Sequence, residues 1–238
     1  MGLIRKFGNG GVLEDARPVR GYGITAGTGI LLIAVLAAFG KFVAVDGLVT
    51  SEDAARTATD IVASEGLFRL GVAALSVVVA LDVVVAWALY HVFGPVSIGI
   101  SLLAAWFRLV YAGVLLIAVG HLIQVLRLLG DDPYLAAFDA DQRQAQALLE
   151  IHTFGDVLRA GLLLFGVHLL IVGYLAYRSG RVPRLLAILV AVAGLGYVVD
   201  SFGAILFRDS WTDASSFTFV GEFLLALWLV VRGRSQGT

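Results

Sequence analysis

The chain has 238 residues, of which 59% are hydrophobic and 15% charged, with a net charge of −1 at pH 7. A soluble domain of this size has too little interior to hide that much apolar surface, so the bilayer is its solvent. The absence of Cys and a single Met at position 1 exclude disulfides, thiol catalysis, thiolate metal sites and Met-lined copper paths, and the near-neutral charge excludes a nucleic-acid partner.

Six apolar segments are predicted to span the membrane, at about residues 23–45, 63–93, 96–129, 144–177, 182–207 and 217–231. About 20 residues cross a bilayer, so the second, third and fourth must tilt or project beyond the lipid. The pair Gly94 and Pro95 makes a tight turn between the second and third spans, and residues 179–183 make another between the fourth and fifth. No segment alternates as a barrel strand would. The fold class is therefore all-α, a polytopic bundle of six transmembrane helices. Residues 1–22 form an N-terminal segment, 23–233 the bundle, 131–146 a polar outer loop with a short interfacial helix, and 234–238 a tail. The first apolar stretch exceeds a signal-peptide core and is expected to be retained.

Orientation follows the Lys/Arg bias. Arg5, Lys6, Arg17 and Arg20 share one side with Arg178, Arg181, Arg184, Arg232 and Arg234, whereas the other side's loops are long and acidic. Both termini are expected in the cytoplasm, with the protein in the inner membrane of a prokaryote.

Charges within the spans are the informative residues, because each costs about 2.5–3.5 kcal/mol near the bilayer centre on insertion scales. Glu65 and Arg69 open the second span at i,i+4 spacing, as a self-satisfied pair or the rim of a pocket. Asp82 and Arg108, on adjoining spans of a tight hairpin, are expected to form a structural ion pair; alternatively Arg108 faces a cavity and holds an anionic group. In the fourth span His152, Asp156 and Arg159 share one stripe, while His168 projects from the opposite side as a packing histidine. His121, Asp200 and Glu222 lie toward the outer ends of the third, fifth and sixth spans. By depth, Glu65, Arg69, His121, His152, Asp156, Asp200 and Glu222 are expected to share a polar site in the outer half. Trp87, Tyr90, Tyr174, Tyr177 and Trp228 read as an aromatic belt at the cytoplasmic edge.

Several of these stretches carry a resemblance. They are residues 64–69 (Ser-Glu-Gly-Leu-Phe-Arg), Asp82, Phe107-Arg108-Leu109, residues 134–138, His152, Phe165-Gly166-Val167-His168, Gly173-Tyr174, residues 177–180, Pro183-Arg184, residues 194–197, Asp200-Ser201-Phe202 and Gly221-Glu222. Over about residues 20–233 the chain resembles the bacterial and archaeal membrane proteins grouped as domain of unknown function 4386. That resemblance implies a multi-span membrane protein. It supplies no activity, cofactor or catalytic residue.

Three functions compete. The leading one is binding or transport of a small polar or lipid-like ligand in the polar pocket, with Glu65, Arg69, Arg108, His152, Asp156, Arg159, Asp200 and Glu222 as candidate lining and membrane lipids as neighbours. Mixed charge signs suit a zwitterionic or anionic head group. The second is a membrane-embedded metal hydrolase, with zinc held among His121, His152, Asp156, Asp200 and Glu222. The third is a structural or partner subunit whose buried charges serve assembly.

Overall fold

The computed structural model describes residues 16–207 and 220–235. Most of the predicted N-terminal segment, the start of the sixth predicted span and the last three residues lie outside them.

The described residues form helices joined by short turns and loops, without a strand. Helix α1 (Ala16–Ala38) runs on into a π-helical turn, Phe39–Val45, and a 3-10 turn, Asp46–Leu48. Then follow α2 (Ala54–Ala63), α3 (Glu65–Phe93), α4 (Ile98–Leu128), a 3-10 turn at Pro133–Ala137, α5 (Ala140–Ser179), α6 (Arg184–Phe207) and α7 (Val220–Ser235). Five stretches are long and apolar enough to cross a membrane: Gly21–Leu48, Glu65–Phe93, Ile98–Leu128, Ala140–Ser179 and Arg184–Ala204. Helix α7 has 16 residues and packs against α1 and α6. The protein is a multi-pass membrane protein whose regular structure, among the described residues, is helical.

Local chemistry sets the helix ends. The Asp53 side chain caps α2 by accepting from the Arg56 N–H, and Ser97 caps α4 by accepting from Ile100. Asp139 and Gln142 form a capping box that starts α5 inside the predicted outer loop, so residues 140–146 are its first turns. Gly180, at φ 62°, ends α5 in the left-handed conformation that glycine adopts without strain. The α3–α4 turn is pinned by the Ser101 hydroxyl donating to the Tyr90 carbonyl at 2.9 Å. Both tight turns lie on one face of the bundle, here the turn face. There Arg178 lies over Tyr174 and Arg184 over Tyr177, with Tyr22, Trp87 and His91 in mutual ring contact nearby. Trp228, by contrast, packs partly buried against the core.

Helix α5 has 40 residues and is about 60 Å long, twice the hydrocarbon thickness of about 30 Å. Its N-terminal half therefore projects from the face opposite the turns, where it packs with α2. Within the bundle α4 packs on α5, α5 on α6, α3 on α4 and α1 on α3. Two apolar clusters fill the interior. One, toward the turn face, includes Val85, Phe93, Ala104, Phe165, Leu175, Val190 and Leu225. The other includes Phe68, Leu75, Val78, Leu115, Leu122 and Phe154. Between Val78 and Val85 on α3, and between Ala104 and Leu115 on α4, the two clusters meet at a polar layer. That layer contains the site.

Candidate functional site

Arg108 is the largest fully buried side chain among the described residues. Its Nε donates to Asp82 Oδ1 at 2.9 Å, and its Nη2 lies 2.7 Å from the same oxygen. Nη1 lies 3.5 Å from Glu222 Oε1 and 3.3 Å from His168 Nε2. The guanidinium also sits 5.3 Å from the centre of the Phe165 ring. One cation is thus held by side chains from α3, α5 and α7.

Depth explains why these residues meet. Asp82, Arg108 and His168 each lie about three helical turns, or about 15–17 Å, from the turn-face end of their helices. That is the middle of a hydrocarbon core about 30 Å thick. Glu222 reaches the same level from the first turn of α7. Water cannot solvate charge there, so the groups satisfy one another.

His168 has a fixed tautomer. Its Nδ1 is 2.8 Å from the Ala104 carbonyl, which can only accept, so Nδ1 carries the hydrogen and Nε2 offers a lone pair to Arg108. His168 is a neutral acceptor that orients the guanidinium. Tyr111 and Tyr197 flank Phe165 at ring separations of 4.9 and 5.6 Å and lie within electrostatic range of Glu222. Nε and Nη2 crowd onto Oδ1, so Asp82 Oδ2 is buried without a hydrogen-bond partner. The pair is not the two-pronged fork that arginine and carboxylate can make.

Of the residues expected to line the pocket, Arg108 and Glu222 meet at the polar layer. Glu65 and Arg69 pair with each other at 2.6 Å on the exposed surface. Asp156 and Arg159 pair loosely at 3.4 Å and are also exposed. His152 is exposed as well. Counting back from Ser179, His152 lies about 40 Å and Asp156 about 34 Å from the turn face, at or beyond the far edge of the lipid. Their charges therefore carry little of the cost expected of a mid-membrane group. Their helix face is the outer one, because Phe154, Gly161, Phe165, His168 and Val172 form the buried stripe of α5. His121 pairs instead with Glu150 at 2.6 Å, a partner 29 positions away with no local signal to mark it. Asp200 is buried on α6, next to Ser201, whose hydroxyl donates to the carbonyls of Arg159 and Tyr197. Among the described residues, no three His, Asp or Glu side chains converge as metal ligands, so the set expected around zinc is dispersed.

The exposed pair yields a first prediction. Exposed i,i+4 pairs contribute at most about 0.2–1 kcal/mol. Glu65→Gln is expected to leave the thermal unfolding midpoint of the detergent-purified protein within about 4 °C of wild type. A larger drop would show that Glu65 is built into the core polar set.

A family model described as domain of unknown function (DUF4386) matches residues 25–233. The chain belongs to this family. An uncharacterized protein of Archaeoglobus fulgidus is similar at 34% identity over 160 residues, covering 66% of this chain and 80% of the relative. No solved structure matches. In this DUF4386 member, the stretches that carried the resemblance surround the polar layer. Phe165 and His168 both contact Arg108. Gly166 meets α6 at Gly194, Gly173 meets Ala191, and Gly221 brings Glu222 in beside Leu189.

Proposed function

We propose that this membrane protein binds a small polar or lipid-like ligand at the mid-membrane polar layer, and that binding serves its movement across the bilayer or its sensing there. The observation that carries the reading is the convergence of Asp82, Arg108, His168 and Glu222 from four helices at one depth. A purely structural ion pair needs two partners. Here a second carboxylate approaches at 3.5 Å, and its side chain keeps 15% of its surface exposed while Asp82 and Arg108 keep 1% each. Glu222 is the route by which a ligand's charged group reaches the layer. The arginine-rich turn face is the cytoplasmic one under the positive-inside rule, which opens the long-loop face to the exterior.

The test is a thermal-shift screen of the detergent-purified protein against zwitterionic phospholipids, anionic phospholipids, small carboxylates and small amines. A ligand at a hundred times its Kd stabilises by about 2.7 kcal/mol, a rise of about 5–10 °C for a chain of this size. The rise is expected in wild type and in His152→Ala, and is expected to be lost in Glu222→Gln. No stabilising compound in any class, or a shift that disappears in His152→Ala and survives in Glu222→Gln, would overturn the reading.

A further inference from the structure

The charges in the polar layer do not balance. Among the described residues, Asp82 and Glu222 face the one guanidinium of Arg108, and His168 is neutral because its Nε2 accepts from that cation while its Nδ1 donates to the Ala104 carbonyl. With both carboxylates ionised the layer keeps one uncompensated negative charge at mid-membrane, where isolated charge is most expensive. We propose that Glu222 is an exchangeable proton-binding site, occupied by one proton per chain when the layer is at rest.

Geometry selects Glu222 over Asp82. Asp82 holds Arg108 through one charge-assisted hydrogen bond, from Nε at 2.9 Å, and an ion-pair contact from Nη2 at 2.7 Å. Glu222 stands at 3.5 Å, outside that range, and is the more accessible of the two. Protonating Asp82 would strip Arg108 of its main counter-charge, whereas protonating Glu222 leaves that pair intact. Among the described residues, the charged groups acting on Glu222 are Arg108 and Asp82. Arg108 and Asp82 form the pair just described, and Tyr111 on α4 and Tyr197 on α6 are neutral phenols. Helix α1 presents Ala26, Gly27 and Ile30 toward α7, none of which titrates.

A proton also fits better than a metal cation. A hard cation requires several oxygen ligands and would sit against the Arg108 charge, while a proton requires one carboxylate oxygen. The step is a simple association: the carboxylate takes up one proton from the aqueous side, becomes a carboxylic acid, and no other bond breaks. It cancels the attraction of Glu222 for Arg108 and, with it, the charge that a ligand meets at Glu222. Proton occupancy and ligand binding are then linked, a consequence that rests on the ligand-binding reading.

Infrared difference spectroscopy of the full chain in nanodiscs, titrated with pH, tests the proposal. The expected result is a carbonyl-stretch band of one buried carboxylic acid that disappears as pH rises. The band should shift in protein labelled with 13C-glutamate, which needs no substitution and separates Glu222 from Asp82. It should be lost in Glu222→Gln, whose near-isosteric side chain preserves the packing. Exchanging sodium for potassium at constant pH should leave it unchanged. A band absent at every pH, unmoved by the glutamate label, retained in Glu222→Gln or displaced by sodium would overturn the proposal. The band reports the proton alone, so a failed ligand screen beside a positive spectrum would remove the ligand reading and leave the proton site standing.

Discussion

Arg108→Leu is expected to be the most damaging single substitution in the protein. It removes the cation that, among the described residues, faces Asp82 and Glu222, and leaves their carboxyl groups without it near mid-membrane. Breaking a buried pair from one side costs about 3–5 kcal/mol, because the surviving charge keeps its desolvation penalty without its partner. That is a large fraction of a typical folding free energy of about 5–15 kcal/mol. The expected readout is a loss of monodisperse protein in detergent, or a thermal midpoint lowered by on the order of 10 °C. The same argument predicts a rescue. Asp82→Leu, Arg108→Met and Glu222→Leu combined remove every charge and refill similar volume with apolar atoms, an exchange that is often neutral or stabilising. The triple variant is expected to recover most of the lost stability while showing no ligand-induced shift. That split separates a layer kept for stability from one kept for function. If the triple variant stays as unstable as Arg108→Leu, the loss comes from packing around the guanidinium, including its contact with Phe165, rather than from orphaned charge.

What the sequence made legible follows from what is local. Apolar length identified the membrane helices, and the Gly94-Pro95 turn forced α3 and α4 into a hairpin whose depth arithmetic brought Asp82 to Arg108. The outer-half cluster rests on a predicted fourth span at residues 144–177, which is longer than the bilayer but whose apolar pattern does not say at which end the excess lies. The helix begins at Ala140 and ends at Ser179, and its excess length lies on the side of His152 and Asp156. Those residues therefore leave the membrane. The same misplacement concealed His168, three turns from the other end and on the opposite face. Periodicity alone cannot say which face of a uniformly apolar helix points inward, because lipid and core accept the same side chains. The contact between His168 and Arg108, across 60 positions, and that of Glu222, across 114, depend on helix arrangement and leave no trace in local spacing. The glycines did leave one. Gly166, Gly173, Gly194 and Gly221 are where helices approach backbone to backbone, and they sit beside the residues that meet Arg108.

Gly194→Leu is expected to be the second most damaging change, and to reach the polar layer without touching it. A Cβ at Gly194 would stand 2.6 Å from the Gly166 carbonyl oxygen and 2.8 Å from the Leu170 nitrogen, while one at Gly166 would stand 2.6 Å from the Gly194 carbonyl. These are backbone atoms, which cannot rotate away as a side chain would. In lipid, where helices gain no hydrophobic drive toward each other, such close packing is what holds α5 to α6. Added methylenes in a packed interior cost about 1–3 kcal/mol, and against rigid backbone the upper end applies. The helices must separate by an amount set by the new side chain. The moving face of α5 carries Phe165 and His168, so separation draws the Nε2 acceptor away from Arg108, starting from a contact of 3.3 Å with little to spare. Gly194→Ala should show the graded form, with a midpoint lowered by a few degrees and weakened ligand stabilisation, and Gly194→Leu the full form, with both lost. The deciding comparison is Gly113→Leu on α4, where a Cβ meets nothing within 4 Å. That variant is expected to keep both properties near wild type, because its side chain points into lipid. If Gly113→Leu and Gly194→Leu lose stability equally, the effect belongs to leucine in a membrane helix and not to the α5–α6 contact.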